Sequence, residues 1–336
     1  MVSYRTILKQ AWRISWKNKF LWFFGFFASL ISFGAEFKII SRSISQETGF
    51  KMLNNIGMFI KTGIFSKNAL NNALELIKTD LGSFLALILF LLLILAVFLF
   101  FVWLATVSQI SIIDAVKKIT KNVKEKITIK NQLNKANAKF WPVLWMNLIM
   151  SVMINGITLL ISILLIFILL QNKPIFLFLY GIIFIAFIPI ILFLSFIIKY
   201  SIAYVVIDGK SFSSALKKGW KLFRDNWLIS IEMAITLFFI NIVAMLAVST
   251  LAFLGLIFII GIAMTSTIFI ISSQIIFWFL ITIAILLAVA IMIVGGSIIN
   301  TFQISTWTDL FIKLKENKVS GKLERIFSEG NTPNKL

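Results

Sequence analysis

The chain has 336 residues, 60% hydrophobic and 13% charged, with 32 Lys and Arg against 13 Asp and Glu, a formal charge of +19. Cysteine and histidine are both absent, which excludes thiol nucleophiles, disulfides, the usual zinc and haem ligands, and the side chain whose ordinary pKa lies nearest neutrality. Soluble domains are about half apolar, so the balance points to a membrane protein. Its cations flank hydrophobic runs, where they set orientation, and that argues against a nucleic-acid surface.

Arg5, Lys9, Arg13 and Lys17 recur every four residues and share one face of a helix. Tyr4, Leu8, Trp12 and Trp16 run beside them, with Ile7, Ala11 and Ile14 widening the apolar side. Residues 1–19 therefore read as a cationic amphipathic helix on the cytoplasmic leaflet. It serves either as a topology anchor among lipid headgroups or as a binder of one anionic lipid.

The apolar run 20–35 follows five cations and no small-residue cleavage pattern comes after it, so it reads as a retained first span. It is short for a bilayer core of about 30 Å. Residues 36–80 form an extracytoplasmic segment in which Leu70, Leu74 and Ile77 recur at helical spacing, predicting an amphipathic helix. The second span lies within 81–113 and the third within 140–170. Gln171-Asn172-Lys173-Pro174 is a turn, and the fourth span follows to about Ile207, kinked at Pro189.

Residues 227–302 hold a single charged side chain, Glu232, and must cross a membrane at least twice. Two long spans joined around 261–274 are the economical solution; three short ones also fit. Loop charge separates the counts. With six spans, the segments on the N-terminal side (1–19, 114–139, 208–226, 309–336) carry 5, 8, 5 and 6 Lys and Arg; the other side carries 7 in all. The positive-inside rule then puts both termini in the cytoplasm of an inner (plasma) membrane. A seventh span would place the basic tail outside.

The chain repeats itself. Leu8-Lys9-Gln10-Ala11-Trp12-Arg13 aligns with Leu216-Lys217-Lys218-Gly219-Trp220-Lys221 at an offset of 208, and Asn18 with Asn226. A weaker third copy is Asn137-Ala138-Lys139-Phe140-Trp141. Gln109-Ile110-Ser111 resembles Gln303-Ile304-Ser305, and Asp114, Asp208 and Asp309 follow spans two, four and six. The expected fold is all-α and integral to the membrane: about six transmembrane helices as three parallel hairpins, each led in by a cytoplasmic interfacial helix. The segments are 1–19, 20–113, 114–207, 208–308 and a basic tail, 309–336.

The pattern Ala11-Trp12-Arg13, Asn18-Lys19-Phe20-Leu21-Trp22, Phe24-Gly25-Phe26-Phe27 and Gly34-Ala35-Glu36-Phe37 resembles a group of uncharacterised multi-pass membrane proteins in small-genome bacteria. Richness in Ile, Phe, Lys and Asn agrees with an AT-rich bacterial genome. Ala215-Leu216-Lys217-Lys218-Gly219-Trp220 with Asn226-Trp227 is similar to the membrane domain attached to some glycerophosphoryl diester phosphodiesterases. Those enzymes carry a separate catalytic barrel with histidines that this chain lacks. The resemblance implies a six-span fold and no transfer of activity.

Several residues are candidates for function. Lys217, Lys218, Lys221 and Arg224 repeat the cationic cue of Arg5, Lys9, Arg13 and Lys17, and all eight are expected to meet anionic headgroups. Lys199 and Glu232 are ionisable residues within apolar runs. They pair beside a polar cavity, or Lys199 snorkels while Glu232 sits near the interface. Asn147, Ser151 and Asn155 make one face of the third span polar, and Asn241 lies in the fifth; interhelical hydrogen bonds or a solute path both account for them. Ala284, Ala288 and Gly295 form a small-residue stripe that admits a neighbouring helix, and Gly295-Gly296 is a possible hinge. No catalytic or metal-binding signature is present, and no cofactor is expected. The leading expectation is a non-enzymatic membrane scaffold acting through lipids or protein partners, without nucleic acid. The alternative is a permease or exporter for an apolar or amphipathic solute.

Overall fold

The computed structural model describes residues 4–30, 80–123, 129–170, 174–269 and 274–316. Within them the regular structure is helical, in the order α1 (Tyr4–Lys17), α2 (Phe20–Ser29), α3 (Leu81–Thr120), α4 (Ile129–Asn137), α5 (Phe140–Leu170), α6 (Pro174–Asp208), α7 (Phe212–Asp225), α8 (Trp227–Phe269) and α9 (Gln274–Lys315). Five of these helices contain a stretch long and apolar enough to cross a membrane; α2, with 10 residues, does not reach that length. The rest of the first span, the helix around Leu70, the 171–173 turn and the tail beyond 316 lie outside the described residues.

The helices differ from the sequence expectation at their ends. The second span stops at 113 in the hydropathy pattern, yet α3 continues to Thr120. Two long helices cover most of 227–302, and α8 runs on through Gly261 to Phe269. Thr265 lies inside it because its hydroxyl bonds back to the Gly261 and Ile262 carbonyls at 3.1 and 3.0 Å. Helix α6 passes through Pro189, and α9 through Gly295-Gly296, without interruption.

Two compact units divide the chain. The first comprises Met1–Phe33, Ala105–Asn147 and Phe196–Leu336. Its core is the C-terminal ends of α3, α6 and α9, buried nearly all round: Ala105–Val116, Tyr200–Ile207 and Asn300–Leu314, with Gln303 the one partly open position. Small hydroxyl residues permit this. Ser111, Ser201, Thr306 and Thr308 each bond the carbonyl four residues back at 2.7–2.8 Å, so they are satisfied within their own helices and take little space between them. Aromatic rings fill the remainder: Phe196 packs on Trp307 and Phe223, and Tyr204 on Phe311.

Helices α8 and α9 lie along each other, and α9 also packs on α1 and α2. The predicted small-residue stripe makes the α8 contact possible. Ala284 and Ala288 are buried, and a Cβ on Gly295 would stand 2.6 Å from both Val248 methyls. Gly25 does the same for α2: an added methyl would collide with Thr301 Oγ1 and the Ser297 carbonyl. At that crossing Asn300 Nδ2 donates to the Gly25 carbonyl at 2.8 Å, and Thr301 Oγ1 to that of Leu21 at 3.2 Å.

The second unit comprises Gly34–Leu104 and Leu148–Ser195. Asp80 caps α3, accepting from the Ser83 N–H at 3.1 Å and its hydroxyl at 2.5 Å. Those bonds hold the Asp80 carboxyl below its ordinary pKa. Leu81 to Phe101 are exposed on every side of the helix, apart from the partly covered Phe84. This suits a surround of lipid, which satisfies apolar side chains without protein contact.

Candidate functional site

Helix α1 presents three distinct faces. Tyr4, Ile7, Ala11 and Ile14 are buried in the first unit; Trp12 and Trp16 stack at 5.4 Å on a second side; Arg5, Lys9, Arg13 and Lys17 are exposed on a third. The expected leaflet helix is thus docked on protein along one face. Trp22 fixes the stack, packing on Trp16 while its Nε1 donates to the Ser15 carbonyl at 2.8 Å. Helix α7 follows the same plan. Ala215, Gly219 and Phe223 are buried while Lys217, Lys218, Lys221 and Arg224 are exposed. Gly219 has to be small there: a Cβ would sit 2.9 Å from the Ile197 carbonyl and closer still to Ser201 Oγ.

Seven tryptophans of this unit (12, 16, 141, 145, 220, 227 and 278) are between 49% and 64% exposed. Rings half wet and half covered are the residues that collect at a membrane–water interface.

Beside α1 lies an open groove of about 510 Å³. Lys9, Arg13 and Lys17 line one wall with Gln10 and Asn18; Ile119, Thr120 and Asn122 form the other. The second wall is shaped by the end of α3. Asn122 takes a left-handed φ of 50°. Its N–H bonds Ile119 O at 3.2 Å while Val123 N–H bonds Lys118 O at 2.9 Å, a Schellman closure that ties up the last carbonyls. Gln10 braces the two walls, donating to Thr120 Oγ1 at 3.3 Å and accepting from Lys313 Nζ at 2.9 Å. No acidic residue lines the groove. Among the described residues none of its three cations forms a salt bridge.

Behind the groove, aspartate–lysine pairs crown the buried helix ends. Asp309 Oδ2 meets Lys313 at 2.6 Å, Asp114 Oδ2 meets Lys118 at 2.7 Å, and Asp208 Oδ2 meets Lys315 at 2.7 Å. With its amide nitrogen turned to the carboxylate, Gln132 of α4 donates to Asp114 at 2.9 Å and accepts from Lys118 at 3.2 Å. The end of α6 is closed by Gly209, with φ +65°, whose N–H reaches Val205 O at 3.1 Å. Lys139 and Lys117 then donate to the next two carbonyls, Val206 O and Ile207 O, each at 2.6 Å, where the helix dipole favours cations. Burial pushes the Lys139 ammonium below its ordinary pKa, and the nearby Asp114 opposes that shift. Lys139→Met strands the Val206 carbonyl and is expected to cost about 1–3 kcal/mol. Thermal unfolding of the detergent-solubilised protein checks this, against Lys130→Met on exposed α4 surface, which should change nothing.

The other sequence candidates lie on α5, α6 and α8. Lys199 Nζ lies over the Trp307 ring at 4.5 Å, a cation–π contact. Glu232 is half-buried on α8. The polar face of α5 splits: Asn147 donates to Gln109 Oε1 at 2.7 Å in the first unit, whereas Asn155 donates to Ser151 at 3.1 Å on exposed surface in the second. Asn241 is partly buried on α8.

The sequence reading noticed the three aspartates but not their lysines. The signal was there: Asp114 to Lys118 and Asp309 to Lys313 are both i,i+4 spacings. Gln10 and Asn122 carried no comparable mark. Comparison with protein-family models, characterised proteins and solved structures finds no match for this chain.

Proposed function

We propose that this chain is a non-enzymatic multi-pass membrane scaffold whose basic end engages anionic lipid on the cytoplasmic face. Six spans in three repeated hairpins carry it. The observation that supports the repeat most is environmental. Ala11 and Gly219, 208 residues apart, are both buried, and Trp12 and Trp220 are 51% and 52% exposed. The short helices α1, α4 and α7 each lead within one or two residues into an apolar helix. The likeness of 215–227 to a phosphodiesterase membrane domain fits this layout.

The single observation that carries the lipid reading is the pairing, on α1 and again on α7, of half-exposed tryptophan with a row of exposed cations. Tryptophan sets depth at the interface, and cations held there meet headgroups, each adding about 1 kcal/mol of attraction to an anionic surface. Protein placed in nanodiscs of mixed anionic and zwitterionic phospholipid, then released for native mass spectrometry, tests it. Retained lipid is expected to be enriched in the anionic species at low salt and less so at high salt. Retention in proportion to the nanodisc composition would overturn the reading.

A further inference from the structure

The groove beside α1 carries a more specific reading, which rests on the lipid-facing role just proposed. We infer that it is a built site for one phosphate-bearing headgroup, held by Lys9, Arg13 and Lys17.

Three features distinguish it from diffuse surface charge. Its cations stand at four-residue intervals, so they form a row along one wall, and none is neutralised by an acidic neighbour among the described residues. The opposite wall comes from a different part of the chain and is fixed before any ligand arrives. Thr120 is held by Gln10, Gln10 by the buried Lys313, and Asn122 by the closure of α3. At about 510 Å³ the groove also matches the size of small-ligand pockets, roughly 300–1,000 Å³, and suits a headgroup better than a bare ion.

The chemistry on offer is specific. The Arg13 guanidinium can grip two phosphate oxygens at once, and the two ammonium groups add point charge on either side. Asn18 and Asn122 bring amides able to bond a polar headgroup beyond the phosphate. Ile14 and Ile119 make part of the lining apolar. The exposed Trp12–Trp16 stack on the same helix places this wall at the interface, which favours a lipid over a soluble phosphate as the source.

The test compares two triple variants in nanodiscs by native mass spectrometry. One is Lys9→Gln, Arg13→Gln, Lys17→Gln in the groove; the other is Lys217→Gln, Lys218→Gln, Lys221→Gln on α7, with the same charge change and outside the lining of this groove. Losing one cation should weaken the held lipid on the order of fivefold, and losing three on the order of a hundredfold. The groove triple is expected to lose one stoichiometric anionic lipid that the α7 triple keeps. Equal loss in both overturns the site while leaving the general lipid reading intact; no anionic enrichment even in the wild type overturns both. Arg13→Lys keeps the charge and the fold but removes the fork, and should still weaken retention several-fold; full retention would count against the site. In purely zwitterionic nanodiscs, inorganic phosphate or glycerol 3-phosphate is titrated against the melting temperature. A saturable rise absent from the groove triple means that the same site also takes soluble phosphate. No rise together with lipid retention assigns it to lipid, and neither response refutes it.

Discussion

Asp309→Ala is expected to destabilise the protein by about 3–5 kcal/mol, the cost of stripping one partner from a buried ion pair. The Asp309 side chain is fully buried and that of Lys313 is 10% accessible. The pair is held at 2.6 Å within one helix, and Lys313 also reaches Gln10 of α1. Alanine leaves the ammonium in the core with only an amide oxygen for company. Because the loss lies mostly in that stranded charge, Asp309→Leu with Lys313→Met should recover much of it. Thermal unfolding in detergent of the single and double variants is the measurement. A single variant within about 1 kcal/mol of wild type would mean that water reaches this pair.

Gly25→Ala is the second large effect. The new methyl has no room against Thr301 Oγ1 and the Ser297 backbone. Helices α2 and α9 must part, and overpacking of this kind costs about 1–3 kcal/mol. The hydrogen bonds from Asn300 and Thr301 to carbonyls of α2 are weakened as well, at roughly 0.5–1.5 kcal/mol each. A loss of about 3 kcal/mol is therefore expected. Gly156→Ala is the matched control: nothing lies within 4 Å of its added Cβ, and alanine is the better helix former. It should leave the melting temperature unchanged or slightly higher. If the two substitutions behave alike, the close approach of α2 to α9 is wrong.

What the sequence made legible follows from which forces act locally. Hydropathy placed α3, α5, α6, α8 and α9 because a bilayer selects on the average of many side chains. The four-residue spacing of cations falls within α1, and the similar segment 216–221 falls within α7. Helix ends were harder. From Leu104 onward α3 changes from exposed to buried and becomes polar, and hydropathy reads that change as the end of a span. The backbone continues there, and Ser111 satisfies its hydroxyl on the Val107 carbonyl of its own helix.

The site divides in the same way. Lys9, Arg13 and Lys17 were readable because one helix presents them. Their opposite wall was not, since Thr120 and Asn122 lie over 100 positions away and are brought there by the Gln10 brace. Asn147, Ser151 and Asn155 look equivalent by spacing, yet Asn147 reaches across to Gln109 on α3 while Asn155 donates to Ser151 on its own helix. Periodicity gives the face of a helix and not what stands opposite.

Sidedness is the point on which the rest of the account turns. Since the chain contains no cysteine, any single introduced thiol reports its own position. Lys210→Cys and Lys173→Cys, each probed with a membrane-impermeant maleimide in right-side-out vesicles, give the direct measurement. The account predicts labelling at 173 in sealed vesicles and at 210 only after they are opened. Labelling of 210 from outside, or of both positions from the same side, would contradict a basic inner end and the pairing of helices built on it.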